Sequence, residues 1–211
     1  MSAPFGKLIE KYPDLSACLL DLERAAEMLS ACYRAGGQVL ICGNGGSAAD
    51  SEHVVGELMK GYLRRRPIPA PTRQRLLDTF PDQGGYLAEH LQGALPAISL
   101  VSQTALTTAY ANDVAPDMIF AQQVYAYGKP GQVLMAISTS GNSMNVVRAA
   151  QVARALGLRI LGFTGQGGGK LAAICEVTIR VPYDDAMTVQ ERHLPIYHAL
   201  CAVIEAEFFP E

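Results

Sequence analysis

Apolar residues fall along this chain in two arrangements. Five short runs, over 38–42, 96–101, 133–138, 159–164 and 177–181, are apolar almost without interruption. That pattern suits strands buried on both faces, because a strand with one wet face would alternate. Elsewhere apolar positions return every three or four residues. Leu15, Cys18, Leu19, Leu22, Ala26, Met28, Leu29 and Cys32 follow a start signal at Asp14 or Ser16 and stop before Gly36 and Gly37, which predicts a long N-terminal helix over 15–35. Its apolar stripe is broad enough to pack on a neighbouring subunit as well as on its own sheet. Further helices are predicted from 47 to about 63, stopped by Pro67, Pro69 and Pro71; up to about 110, with a break at Asn112 and Asp113; over 117–127; over 144–156, ended by Gly157; briefly up to 175; and from about 188 to 208. Residues 72–95 are the least regular, with a turn at 81–85 and a short helical patch over 86–91. They read as an irregular insertion of the kind that serves as a lid or interface arm.

Strands alternating with helices imply a parallel sheet with right-handed crossovers, covered on both faces. The predicted fold is an α/β three-layer sandwich on a five-stranded parallel sheet. The 211 residues suit a single domain over 1–211 whose core needs no staples. Apolar residues make up 49%, which excludes a disordered chain. No apolar run approaches the roughly 20 residues that cross a bilayer, and the first residues lack the charged-then-apolar order of a signal peptide, so a cytoplasmic protein is expected. A net charge of −3 argues against nucleic acid as a partner. The one dense basic run, Arg64-Arg65-Arg66, reads as a solvated helix end whose cations complement the dipole. Five scattered cysteines without a CxxC pair read as buried reduced thiols.

In such sheets ligands sit beyond the carboxyl ends of the strands, and two loops there carry chemistry. Gly43-Asn44-Gly45-Gly46 turns from a strand into a helix opened by Ser47; unpaired amides and the positive helix end suit an anion, most often a phosphate. Ser138-Thr139-Ser140-Gly141-Asn142-Ser143 offers four side-chain hydroxyls at another helix start, where a plain cap would need one. Neither loop has the lysine of a nucleotide P-loop, and the GxGxxG spacing of a dinucleotide site is missing. His53 and Glu57 share one face one turn into the first loop's helix, though such a pair alone is more often an exposed helical pair. The closing helix adds Gln190, Glu191, His193 and His198; His198, followed by Ala199 and Leu200, would read equally as a core histidine.

Together, 42–47 with His53 and Glu57, the loop over 137–143, and Gln190-Glu191 followed by His198 resemble the sugar isomerase (SIS) domain proteins, specifically the phosphoheptose isomerases, over roughly 15–208. The resemblance implies a flavodoxin-like topology and interconversion of sedoheptulose 7-phosphate with D-glycero-D-manno-heptose 7-phosphate through an enediol, on the way to lipopolysaccharide. It implies that Ser47, Ser138, Thr139, Ser140 and Ser143 hold the phosphate, that Asn44, Gly45, Asp113 and Gln190 contribute to the substrate site, and that Glu57 is the general base and His198 the general acid. It further implies a zinc ion on His53, Glu57, Gln190 and His198, and a homotetramer with active sites between subunits. Gln190 and His198 are eight residues apart, about 12 Å along a regular helix, so either the helix start is unwound or the metal shell draws on more than one segment. Thr188 stands where the family usually has an arginine before its Ile-Gln-Glu, Lys60-Gly61-Tyr62 where many have Gly-Arg-Tyr, and 72–95 looks additional; these departures leave room for another phosphorylated sugar. The competing expectation is a non-catalytic SIS protein, a DnaA-associating replication regulator or a phosphosugar sensor, which would need the phosphate loops without the base and acid.

Overall fold

The five apolar runs pair side by side as β1 (Val39–Cys42), β2 (Ala97–Ser99), β3 (Val133–Ile137), β4 (Arg159–Thr164) and β5 (Val177–Arg180). The structure, a computed structural model, describes residues 2–210. Every pairing is parallel, and the order β2-β1-β3-β4-β5 is the flavodoxin-like one. The chain leaves β1 in one direction to make β2 and returns on the other side for β3. A crevice therefore opens between the carboxyl ends of β1 and β3, where α/β sheets bind ligands.

Ten helices surround the sheet among the described residues: α1 (Ala3–Lys11), α2 (Leu19–Arg34), α3 (Gly46–Met59), α4 (Ala70–Thr79), α5 (Gly84–His90), α6 (Thr104–Asp113), α7 (Ile119–Tyr127), α8 (Met144–Ala155), α9 (Gly169–Ala172) and α10 (Ala186–Phe208). Alternate strand residues point to opposite faces. Val39, Ile41, Val133, Met135 and Ile137 join a core with α1, α2, α3 and α10. Leu40, Cys42, Leu134 and Ala136 join a second core with α7, α8 and α9. Burial on both faces explains why these runs lack alternation. It also leaves α2 covered by its own chain, from the sheet on one side and α10 on the other.

Four predicted elements are corrected. The N-terminal helix over 15–35 is instead a 3-10 turn at Pro13–Cys18 followed by α2. Ahead of it lies α1, which periodicity missed because only Phe5 and Leu8 of its nine residues are buried. Helix α3 ends at Met59, before the prolines, with Lys60 extended. Residues 72–95 are largely helical, as α4 and α5; α4 buries no residue, so it carries no apolar stripe to read. Gly84 packs so closely on the backbone at Leu76 that a Cβ would overlap it. Helix α6 runs through Asn112 and Asp113 instead of breaking there.

The basic run also departs from expectation, because Arg66 is buried at 1% exposure against a fully buried Glu205. Its Nε donates to Glu205 Oε1 at 2.8 Å, and its terminal nitrogens donate to the carbonyls of Leu58 at 2.6 Å and Glu57 at 3.0 Å. The Glu205 carboxylate also accepts the amides of Tyr62 at 2.8 Å and Leu63 at 2.7 Å. A buried ion pair holds only when its remaining hydrogen-bonding groups are met, and here both partners are bonded on several sides. Helix α3 is thereby capped by a guanidinium whose counter-ion sits on α10, which accounts for its early end. Burial pushes the Glu205 carboxyl up, but the two amides and Arg66 outweigh it and hold the group below the usual glutamate range.

Arg66→Met strands a buried carboxylate and is expected to cost about 3–5 kcal/mol in urea denaturation, while Arg65→Met at its exposed neighbour stays within about 0.5 kcal/mol. Because the folded Glu205 pKa is depressed, its contribution is present above the unfolded value of about 4.3 and is lost as pH falls through the folded value. Stability followed against pH should accordingly lose part of its acid-side slope in Glu205→Gln.

Candidate functional site

Strand β1 empties into the glycine loop at the crevice. A Cβ at Gly43 would meet Ser47 at 2.6 Å, and Gly45 has φ +55°, which favours glycine. The amides of Ser47 and Ala48 turn back to the carbonyls of Asn44 and Gly45, each at 3.0 Å, starting α3 with a buried Ser47. Asn44 and Asn145 exchange amide hydrogen bonds of 2.8 and 2.9 Å, so the glycine loop is tied to the first turn of α8. The Asn44 side chain, expected on the sugar, is bonded to a neighbouring loop.

Strand β3 empties into the hydroxyl loop beside it. Ser138 Oγ donates to Ser143 Oγ at 3.1 Å, and Ser140 Oγ accepts the Asn142 amide at 3.2 Å. Thr139 lends its carbonyl to the Gly165 amide at 2.8 Å, and Asn142 Oδ1 accepts the Lys170 amide at 3.1 Å. Gly141, at φ +65°, lies so close to the Gly168 carbonyl that a Cβ would overlap it. The glycine-rich stretch over 165–169 thus backs the hydroxyl loop and sets its shape.

Helix α10 runs alongside α3 in the same direction, so contacts advance together along both. Gln190 lies over Gly46, where a Cβ would overlap the Gln190 amide. One to two turns on, the Tyr197 hydroxyl donates to Asp50 Oδ1 at 3.1 Å and lies 3.1 Å from His53 Nδ1. His198 Nε2 is 3.3 Å from His53 Nε2. His53 Nε2 is also 3.3 Å from Glu57 Oε1, and Lys60 Nζ stands 3.6 Å from Glu57 Oε2. That second carboxylate oxygen is buried and makes no hydrogen bond within the chain. Beside His198 a cleft of about 420 Å³ opens between α1 and α10, with Tyr62 on its wall and Lys7 and Lys11 facing it.

Burial and repulsion from His53 pull the His198 imidazole below its usual range, against the attraction of Glu57. Burial raises the Asp50 carboxyl, partly offset by the Tyr197 hydrogen bond and by His53. Burial and Asp50 together push the Tyr197 phenol up. Of the two histidines in the last helix, His193 is the core residue. It is fully buried, 3.4 Å from the Thr164 carbonyl, and burial lowers its pKa to about 4.

His53, Glu57 and His198 therefore adjoin, while Gln190 stands about two turns up α10 from His198. Among the described residues no three His, Cys, Asp or Glu side chains are gathered as a metal cage. Asp113 closes α6 at an exposed position, accepting from Asn112 at 2.8 Å. Sequence reasoning passed over Asp50, Tyr197 and Asn145. Asp50, His53 and Glu57 fall at helical spacings of three and four, a signal that could have found the first of these; nothing local marks Asn145.

The chain matches the SIS domain family model over residues 17–74 and 74–165. It is 41% identical over 191 residues to the phosphoheptose isomerase of Rhodospirillum rubrum, covering 90% of this chain and 88% of that one. It is 38% identical over 211 residues to that of Shewanella denitrificans, covering 98% and 94%. Among solved structures, the phosphoheptose isomerase of Neisseria gonorrhoeae superposes with a TM-score of 0.75 at 32% identity, covering 96% of this chain and 95% of its own. The resemblance carried by the two loops and the last helix thus extends over nearly the whole length, and the chain belongs to the phosphoheptose isomerases of the SIS-domain family.

Proposed function

We propose that this protein is an aldose–ketose isomerase that interconverts sedoheptulose 7-phosphate and D-glycero-D-manno-heptose 7-phosphate in the cytoplasm, on the route to lipopolysaccharide. The observation that carries the reading is the approach of Glu57 and His198, from opposite ends of the chain, to His53 at 3.3 Å each. The non-catalytic SIS reading needs no such convergence. The substrate phosphate is assigned to Ser47, Ser138, Thr139, Ser140 and Ser143, with the N-termini of α3 and α8 supplying positive potential. Gly45, Asn44, Asp113 and Gln190 are assigned to the rest of the sugar, Asn44 after exchanging its bond to Asn145.

Glu57 takes the proton from C1 of the ketose, and that electron pair forms the C1–C2 double bond. His198 gives a proton to O2, yielding the enediol. Glu57 then returns its proton to C2 while His198 recovers one from O1, leaving the aldehyde at C1. The buried Glu57, its backbone carbonyl fixed by Arg66, suits a base that must hold its place. An imidazole held below its usual range by burial is readily deprotonated again near neutral pH, as an acid that works in both directions requires.

One zinc ion per site belongs to this reading. His53, Glu57 and His198 offer two imidazole nitrogens and a carboxylate, types that zinc accepts, with His53 Nε2 3.3 Å from each of the other two donors; they are not drawn together as a closed cage, so these residues would hold the ion only with a further donor. When bound, the ion supplies Lewis-acid polarisation of the substrate carbonyl. Gln190, against Gly46 in its own chain, completes this set only from a neighbouring subunit. A homotetramer is part of the reading and is supported by exposed apolar side chains near the site, among them Leu63 at 67% and Met187 at 72%.

Glu57→Gln and His198→Asn should each lower kcat on sedoheptulose 7-phosphate by about 10²–10⁴ with folding intact by circular dichroism; normal turnover in both removes these residues from the mechanism. Elemental analysis is expected to find one zinc per chain, and dialysis against a chelator to remove activity that added zinc restores. A metal-free enzyme indifferent to chelation would strike zinc from the reading. Sedimentation equilibrium should return about four times the 22.6 kDa chain mass; a monomer at working concentration contradicts the shared site.

A further inference from the structure

Tyr197 and Asp50 belong to none of the roles above, yet both touch the centre of the site. Asp50 is 8% exposed and Tyr197 1%. The phenol has a single hydrogen and two neighbours, Asp50 Oδ1 and His53 Nδ1, both at 3.1 Å. A carboxylate can only accept, and its second oxygen is buried with no hydrogen bond. The hydroxyl hydrogen therefore goes to Asp50. The phenol oxygen is then left as an acceptor, and His53 Nδ1 must carry the proton that completes the second bond. In a neutral imidazole this leaves Nε2 bare, free to accept from a protonated His198 Nε2 at 3.3 Å, while Glu57 Oε1, also at 3.3 Å, is the competing acceptor that the Tyr197 bond must outweigh.

We propose that Tyr197, oriented by Asp50, is a positioning residue that locks His53 in the Nδ1–H tautomer, so that its Nε2 lone pair always faces the reaction side of the site. It deepens the zinc isomerase reading and rests on it for its consequence, because an imidazole binds a metal through the nitrogen that its other hydrogen bond leaves free. The usual partner of a ligating histidine is a carboxylate or carbonyl in direct contact. Here the carboxylate acts through a phenol, which also fills the space between α3 and α10 and fixes the ring plane: the Tyr197 and His53 rings meet edge to face at 5.5 Å.

The test uses the full-length protein labelled with 15N at histidine, with His53 assigned by comparison with His53→Ala. In the zinc-free wild type, ring-nitrogen shifts are expected to give the Nδ1–H tautomer for His53. In Asp50→Asn the phenol loses its charged acceptor, so the Nε2–H tautomer becomes populated; Tyr197→Phe removes the bond outright. Zinc affinity by chelator competition should fall about ten- to hundredfold in both. An Nε2–H His53 in the wild type overturns the inference, as do folded variants with unchanged tautomer and unchanged zinc affinity. If Tyr197→Phe does not fold, the wild type and Asp50→Asn decide. A wild type that binds no zinc, yet has the Nδ1–H tautomer and loses it in Asp50→Asn, would end the metal reading while leaving the tautomer lock standing.

Discussion

The arrangement of this site depends on the alignment of α10 along α3, and the buried Arg66–Glu205 pair is the interaction that fixes it. Sliding one helix by a turn would move the charges about 5.4 Å apart inside a core that cannot solvate them. The pair therefore specifies register more than it adds stability, the use of buried ions best supported physically. At the other end, Gln190 lying over Gly46 sets the spacing, because any side chain at 46 would push the helices apart. Between these two points Tyr197 and His198 arrive opposite Asp50 and His53 with little latitude.

The anion-binding half is organised by a different device. The two loops come from neighbouring strands, but parallel pairing alone leaves their tips independent. The reciprocal Asn44–Asn145 amide pair joins them, and the glycine stretch over 165–169 supports the second from behind. A phosphate would meet a surface already assembled from two helix starts, with little ordering left to do on binding.

Much of this was readable in the chain. The five strands, their parallel pairing and the two loops follow from unbroken apolar runs that end in glycine and hydroxyl residues. His53 and Glu57 stood out only because a phosphate-type loop precedes them. The misses share a physical origin. Helix α1 buries two residues and α4 none, so neither writes a periodic stripe. Arg66 lies in a run of three arginines, and its burial depends on Glu205, 139 residues away; composition near Arg66 cannot announce a distant counter-ion. Asp50 and Tyr197 likewise acquire meaning from each other, 147 residues apart. Gln190 is the opposite case. Its distance from His198 was legible, since eight helical residues span about 12 Å, and α10 is helical from Ala186 to Phe208, so the start of the helix is not unwound at Gln190.

The separation between α3 and α10 along the chain also bears on how the molecule is made. All five strands and both loops precede α10 in order of synthesis. His198, Tyr197 and Glu205 arrive together on α10, bringing the proposed acid, the proposed orienting group of His53 and the counter-ion of Arg66. Until then the proposed base, Glu57, has no acid partner. The proposed acid–base pair is completed only by the last helix.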